Sequence, residues 1–146
     1  MIIRDARPAD TAAVHRLIGQ LADAPDDAAF RARFERVLAD NGHRIIIAEI
    51  GGKVVAVLHV FERPALEKPC EAIVQALVVD SEARSSGVGE ALMREAEAWA
   101  LGRKLPSVSL YSGADRKRAH AFYERIGYRV KATSVRLERG LVERPE

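Results

Sequence analysis

The run Leu77-Val-Val-Asp-Ser-Glu-Ala-Arg84-Ser-Ser-Gly87-Val-Gly89-Glu-Ala91 leads from a β-branched strand through a glycine- and serine-containing turn straight into a helix. In such a junction consecutive backbone N–H groups and the positive end of the helix dipole converge on one point. Glycine at that point lets an anion approach the main chain with no Cβ in the way, so the turn reads as a phosphate cradle. A tight strand-to-helix turn would also use glycine for purely backbone reasons, and the RxxGxG pattern alone does not separate the two. It is not a Walker loop, because no Gly-Lys-Ser/Thr follows. It is not a dinucleotide fingerprint either, because the third glycine is missing and the strand follows a hairpin in mid-chain.

Working outward, Ala72–Val79 (AIVQALVV) is a candidate central strand, and the segment from Gly87 to about Arg103 carries Val88, Ala91, Leu92, Ala96 and Trp99 on one helical face. Residues 106–111 (PSVSLY) read as the next strand, so the unit should be a right-handed parallel crossover. Upstream, residues 44–50 and 53–61 are β-branched runs separated by Gly51-Gly52, a strong hairpin signal. Residues 1–4 suit an edge strand. Asp10 is placed to cap a helix with the stripe Val14, Leu17, Ile18 and Leu21. Asp26 or Asp27 can cap a second helix, with Phe30, Phe34, Val37 and Leu38, that ends at Asn41-Gly42. Downstream, Ala119, Phe122, Tyr123 and Ile126 mark a fourth helix, with Gly127 in C-cap position, and an alternating strand is expected over roughly 128–138. The expected fold is α/β in the mixed α+β sense, with a twisted mixed sheet of about six or seven strands, four helices and the order β-α-α-β-β-β-α-β-α-β.

The 146 residues make one domain, 1–146, with 48% apolar and 30% charged residues and a formal charge of +2. That balance predicts neither a nucleic-acid nor a membrane partner, although a local basic patch can still serve an anionic ligand. The single cysteine, Cys70, cannot close an internal disulfide. The N-terminus MIIRDARPAD has neither a signal peptide's apolar stretch nor a membrane span, so a cytoplasmic location is expected. The four histidines and Cys70 show no metal-ligand spacing, and no metal is expected.

The segment Leu77–Ala91, followed by Ala119-His120-Ala-Phe122-Tyr123-Glu124-Arg-Ile-Gly127-Tyr128, resembles the GNAT superfamily of acetyl-CoA-dependent N-acetyltransferases across the whole element order. In that family [Q/R]xxGx[G/A] binds the pyrophosphate of coenzyme A, and here the match runs through Arg84, Gly87 and Gly89. The family's FYExxGF signature stands as Phe122-Tyr123-Glu124 with Gly127-Tyr128. The resemblance implies that the pantetheine arm lies along Leu77, Val78 and Val79 like an added strand. It further implies that the amides of Arg84, Ser85, Ser86, Gly87, Val88, Gly89 and Glu90 surround the pyrophosphate, with the Arg84 side chain adding charge-assisted contacts. Many relatives carry asparagine seven residues before the tyrosine; this chain has Arg116 there, from which Arg116, Lys117 and Arg118 can reach phosphates. Phe122 and Tyr123 complete the implied donor contacts.

Acetyl transfer needs a neutral amine, yet an alkylamine of pKa ~10.4 is almost wholly protonated at neutral pH, and the leaving thiolate, of pKa ~8.5, needs a proton. By family position Tyr123 is the general acid, although its spacing alone also suits a core aromatic. The Val79 N–H is the candidate oxyanion donor. Glu71 is the leading candidate base. It shares a face with Gln75, which cannot accept a proton, if no bulge intervenes, and a solvated carboxylate is the plain alternative. His59 is a second candidate base, or a structural strand histidine; His120 lies near Tyr123 on its helix, and His15 and His43 have no evident partners. The expected reaction moves acetyl from acetyl-CoA to a primary amine of a small molecule in a ternary complex. The alternatives are acetylation of a protein N-terminus or lysine, a non-catalytic acyl-CoA sensor, and action on aminoacyl-tRNA. The acceptor surface is expected from Ala22–Phe30, made acidic by Asp23, Asp26 and Asp27, and from the Phe61–Cys70 loop. A homodimer is expected through Thr133–Leu137.

Overall fold

The computed structural model describes residues 1–23 and 25–142. The chain divides into two compact units, Met1–Leu110 and Tyr111–Glu146. The first contains β1 (Ile2–Asp5), α1 (Thr11–Ile18), α2 (Asp27–Leu38), β2 (His43–Ile50), β3 (Lys53–Arg63), β4 (Glu71–Val79), α3 (Val88–Gly102) and β5 (Val108–Leu110). The second contains α4 (Lys117–Arg125).

The strands form one sheet in the order β1-β2-β3-β4-β5. Its first three pairings are antiparallel and β4–β5 is parallel, as a strand, helix, strand crossover requires. Gly51 and Gly52 make the β2–β3 turn with φ of 59° and 79°, a left-handed conformation that only glycine adopts freely. α1 and α2 cover one face through Val14, Leu17, Phe30 and Phe34, packed on Ile45, Ile47, Val57 and Val78. α3 packs on β2, β3 and β4 with buried Leu92, Met93, Ala96 and Ala100.

Three expectations change. α1 stops at Ile18, and Leu21 is exposed rather than part of the stripe. Asp10 does not cap α1 with its side chain. It closes a 3-10 turn, Pro8–Asp10, by accepting from the Arg7 N–H at 2.7 Å, and a stronger cation competes for its carboxylate, as described below. The sheet has five strands among the described residues, not six or seven, and 128–138 forms none. The reason is visible in the pattern. Val130 and Ala132 fall on even positions while Val135 and Leu137 fall on odd ones, so no single face of the segment is apolar. Val135 and Leu137 are 80% and 89% exposed.

β1 is tied to the start of α1 by Arg4, whose guanidinium donates to both Asp10 oxygens at 2.8 and 2.9 Å and to Glu49 Oε1 at 2.6 Å. Asp10 is only 7% exposed, and the Arg4 hydrogen bond holds its carboxyl below the ordinary value of 3.8 against the opposing effect of burial. Arg4→Met would strand that carboxylate and should cost about 3 kcal/mol in urea unfolding at neutral pH. A carboxyl depressed in the fold contributes stability that is complete above its unfolded pKa and lost as pH falls through the lower folded one. The gap between wild type and Arg4→Met should therefore narrow as the solution is acidified below 3.8; an unchanged gap would assign the loss to packing.

Candidate active site

β5 pairs β4 only through Ala72↔Val108, Ile73↔Ser109 and Val74↔Leu110, whereas β4 continues to Val79. On that edge residues 75–79 have no strand partner among the described residues, so their N–H and C=O groups are open to an added strand. The opening begins at a bulge: β3 pairs His59 with Ala76 but Val60 with Val74, leaving Gln75 as the extra residue. The condition for Gln75 and Glu71 to share a face therefore fails. The bulge displaces Gln75, which is exposed.

Beyond Val79 the chain turns on Asp80. This carboxylate, 5% exposed, accepts from Arg16 Nη1 of α1 at 2.9 Å and from the Glu82 N–H at 3.2 Å, and its own N–H donates to Val55 O. Arg16, with the Glu82 amide second, keeps the Asp80 carboxyl below its ordinary value. Arg16 also donates to Val54 O at 3.2 Å, so one guanidinium fastens the turn to α1 and β3 together.

Past Asp80, Ser85 and Gly87 take positive φ, 65° and 84°. The first hydrogen bond of α3 runs from the Ala91 N–H to Gly87 O, 3.0 Å. The amides of Val88, Gly89 and Glu90 therefore have no acceptor inside the helix and point beyond its positive end. A Cβ built on Gly87 would meet nothing within 4 Å, so the space over the turn is open. Arg84 folds back, its Nε donating to Val79 O at 3.2 Å, and Ser86 Oγ donates to Ala83 O. The residues present fit a diphosphate at the turn and an extended amide-bearing arm along the edge of β4.

At the other end of β4, Glu71 accepts from Ser109 Oγ at 2.6 Å, Ser107 Oγ at 3.1 Å and Arg63, with Lys68 Nζ at 3.9 Å. Burial pushes its carboxyl up, but Ser109, Ser107, Arg63 and Lys68 together outweigh that and hold it below 4.5. Glu71 is thus a fixed anion with its oxygens already engaged. It also lies three residues before Val74, or roughly 10 Å of strand from the point where β4 loses its partner. Of the expected acceptor segments, β3 extends to Arg63, so the second loop shortens to 64–70, with Leu66 fully exposed. In the first, Asp26 caps α2 through the Ala29 N–H at 2.8 Å and Asp27 is exposed, while Ala24 lies outside the described residues. His15 has a partner after all: its ring meets Pro25 O at 2.8 Å and stacks on Phe30.

In the second unit, Tyr123 sits on α4 edge-on to Phe122 at 5.0 Å and to Tyr128 at 6.1 Å. Gly127, at φ 107°, reverses the chain so that the Tyr128 N–H donates to Tyr123 O at 2.9 Å. Burial raises the Tyr123 phenol above its ordinary value, and Arg116 partly offsets this. Arg116 occupies the N-cap position of α4 and makes no side-chain capping bond. Among the described residues no group of three or more His, Cys, Asp or Glu could hold a metal ion, and no helix is long and apolar enough to cross a membrane.

Sequence reasoning missed the Arg16–Asp80 bridge, which joins positions far apart in the chain, and the contact of His43 Nδ1 with His59 Nε2 at 2.8 Å. The second had a signal, because a hairpin turning on Gly51-Gly52 brings the two positions near each other.

A β4 whose free edge runs into a glycine turn and a helix start is the local architecture of the acetyltransferase class, and a family comparison supports that class. The acetyltransferase (GNAT) family profile matches residues 11–128, and the chain belongs to that family. It is similar in structure to the aminoglycoside 6′-N-acetyltransferase AAC(6′)-IG of Acinetobacter haemolyticus, with a TM-score of 0.87 and 20% identity over 97% of this chain and 100% of that one. It is also similar to AAC(6′)-Ih of Acinetobacter baumannii, with a TM-score of 0.86 and 16% identity over 97% and 99%. A transcriptional regulator of Bacillus halodurans C-125 shares the fold, with a TM-score of 0.85 and 22% identity over 94% and 98%. No curated protein sequence matches the chain significantly.

Proposed function

We propose that this protein transfers acetyl from acetyl-CoA to a primary amine of a small molecule, by direct attack in a ternary complex. The observation that carries the reading is the unpaired edge of β4 running into the open turn at Gly87. Main-chain groups of Leu77 and Val79, with Val78 between them, hold the pantetheine amides, for which Arg84 must first release Val79 O. The amides from Arg84 to Glu90 hold the diphosphate, and by family position Arg116 and Phe122 also take part in donor binding. The Val79 N–H stabilises the oxyanion. Tyr123 gives its proton to the leaving thiolate, a role its raised pKa suits because the phenol stays protonated at neutral pH. Glu71 serves as a fixed negative charge that attracts the acceptor's ammonium rather than as a proton acceptor, since three donors already engage its oxygens.

Two of the proteins that share the fold are named for acetylating aminoglycosides, which agrees with a polyamine or aminosugar acceptor. We also propose a cytoplasmic location and a homodimer, with the exposed Val135 and Leu137 at the contact between copies. The test is thiol release from acetyl-CoA across a panel of polyamines, aminoglycosides, N-terminal peptides and lysine peptides. Turnover on the small amines is expected. Turnover confined to the peptides would overturn the small-molecule acceptor. Tight acetyl-CoA binding with no turnover on any amine would make the protein a sensor.

A further inference from the structure

Two histidines with no assigned purpose meet on the sheet. His43 on β2 and His59 on β3 lie on the face that carries Ile45, Ile47 and Val57, because the register pairs His43 with Phe61, Ile45 with His59 and Ile47 with Val57. Across the next pairing His59 stands opposite Ala76. Ala76 lies just past the bulge, where β4 has lost β5 and its far edge is open. Strands lie about 4.8 Å apart, so a thioester seated along that edge would be roughly 10 Å from the His59 strand, and the residue of β4 opposite His59 is the small Ala76.

The protons in the pair can be assigned. His43 Nδ1 lies 2.8 Å from His59 Nε2, so the contact holds one proton between them. The other nitrogen of His43, Nε2, faces Asp40 Oδ2 at 3.7 Å, and a carboxylate there favours an N–H at Nε2. We take His43 Nδ1 as the acceptor and His59 Nε2–H as the donor, the arrangement that turns a His43 Nε2–H towards the Asp40 charge. His59 Nδ1 keeps its lone pair and has no hydrogen-bond partner among the described residues. Phe61 stacks on His43 at 5.0 Å and fixes that ring.

We propose that His59 Nδ1 takes the proton of the acceptor's ammonium and that His43 and Asp40 form the relay by which it leaves. The proposal rests on the transferase reading above. As an N–H proton passes to His59 Nδ1, the His59 Nε2 proton passes to His43 Nδ1, and the imidazolium beside Asp40 releases a proton from Nε2 to solvent. Once product has left, His59 Nδ1 loses its proton to water, the shared proton returns to His59 Nε2 and His43 Nε2 takes one from solvent, which restores the starting tautomers with no net proton change. The amine lone pair forms the C–N bond while the C–S bond breaks, its electron pair leaving on sulfur. The ammonium nitrogen sheds two protons in all. One leaves through the relay, and the other replaces the proton that Tyr123 gives the thiolate, so the reaction releases one proton overall.

Burial, with His43 beside it, pushes His59 down to about 4. His59 therefore carries no charge at neutral pH, with the Nδ1 lone pair unprotonated. The charged groups around the pair are His43 from β2 and Asp40 from the preceding turn, with Arg63 of β3 and Glu71 of β4 paired to each other one step beyond Phe61. α1 and α2 present apolar side chains to this face. Glu71 is the competing base; Ser107, Ser109 and Arg63 donate to its oxygens and Lys68 lies at 3.9 Å.

The test has two readouts. In the first, His59→Gln should lower kcat/KM for the amine by about 100-fold and His43→Gln by about 10-fold, with acetyl-CoA affinity by calorimetry unchanged. The acid limb of the kcat/KM profile should move in both variants. In the second, imidazole NMR titration of the free wild-type protein should show the two rings titrating as a coupled pair. His43→Gln should uncouple His59. Wild-type kcat/KM and an unmoved acid limb in His59→Gln would overturn the proposal, as would independent titration of the two rings. If no amine is ever acetylated while the rings titrate together, it is the transferase reading that fails; the coupling stands by itself.

Discussion

Gly87→Val is expected to raise the Kd for acetyl-CoA about 100-fold, equivalent to about 2.7 kcal/mol. Two effects act in the same direction. Gly87 has φ 84°, a conformation that a β-branched residue strongly resists, so the substitution bends the turn that aims the amides of Val88, Gly89 and Glu90. A valine side chain would also occupy the open space that the diphosphate needs. Losing one or two amide bonds to a charged oxygen, each worth about 1.5–3 kcal/mol, is enough to produce the shift. The control is Gly52→Val in the β2–β3 turn, where φ is 79° and space is equally open. It should cost about 1–2 kcal/mol of stability and leave acetyl-CoA affinity unchanged. Calorimetry on both variants separates strain from ligand contact. Equal affinity in Gly87→Val and wild type would move the diphosphate off this turn.

Tyr123→Phe should lower kcat about 100-fold with little change in the KM for acetyl-CoA. The ring remains to pack against Phe122 and Tyr128, so the loss isolates the hydroxyl. Burial raises the phenol above its ordinary value of 10 while Arg116 works the other way, so the group is a competent acid throughout the neutral range. The wild-type kcat should decline on the alkaline side as the phenol ionises, and that alkaline limb should be absent in Tyr123→Phe. Full kcat with an unaltered alkaline limb in the variant would free Tyr123 of the general-acid role.

These two variants probe the parts of the site that were most legible before any coordinates. The turn at Arg84–Glu90 is built by neighbours in sequence: a strand, two glycines and a helix start that serve one another within a dozen residues. The β2–β3 hairpin is local in the same sense. The proton path was not legible in this way. Glu71 looked like a base because its chemistry was right, and strand alternation seemed to carry it towards the reaction. The bulge at Gln75 broke that alternation, and Ser107, Ser109 and Arg63, brought in by two other strands, occupied its oxygens. The last strand was misread because alternation was taken for pairing. Residues 128–138 change apolar phase at Thr133–Ser134 and find no neighbour among the described residues.

The order of elements as far as the fourth helix, the glycine hairpin and the turn at Arg84–Glu90 were determined by the sequence itself, because caps, turn glycines and side-chain periodicity act over a few residues and hold wherever the segment is placed. Tertiary structure alone decided which strand edge stays open, which carboxylates are already engaged, that Arg16 holds the turn through Asp80, and that His59 meets His43. Each of these depends on register and packing between segments distant along the chain. A one-residue bulge there reassigns every later side chain, and nothing local records it.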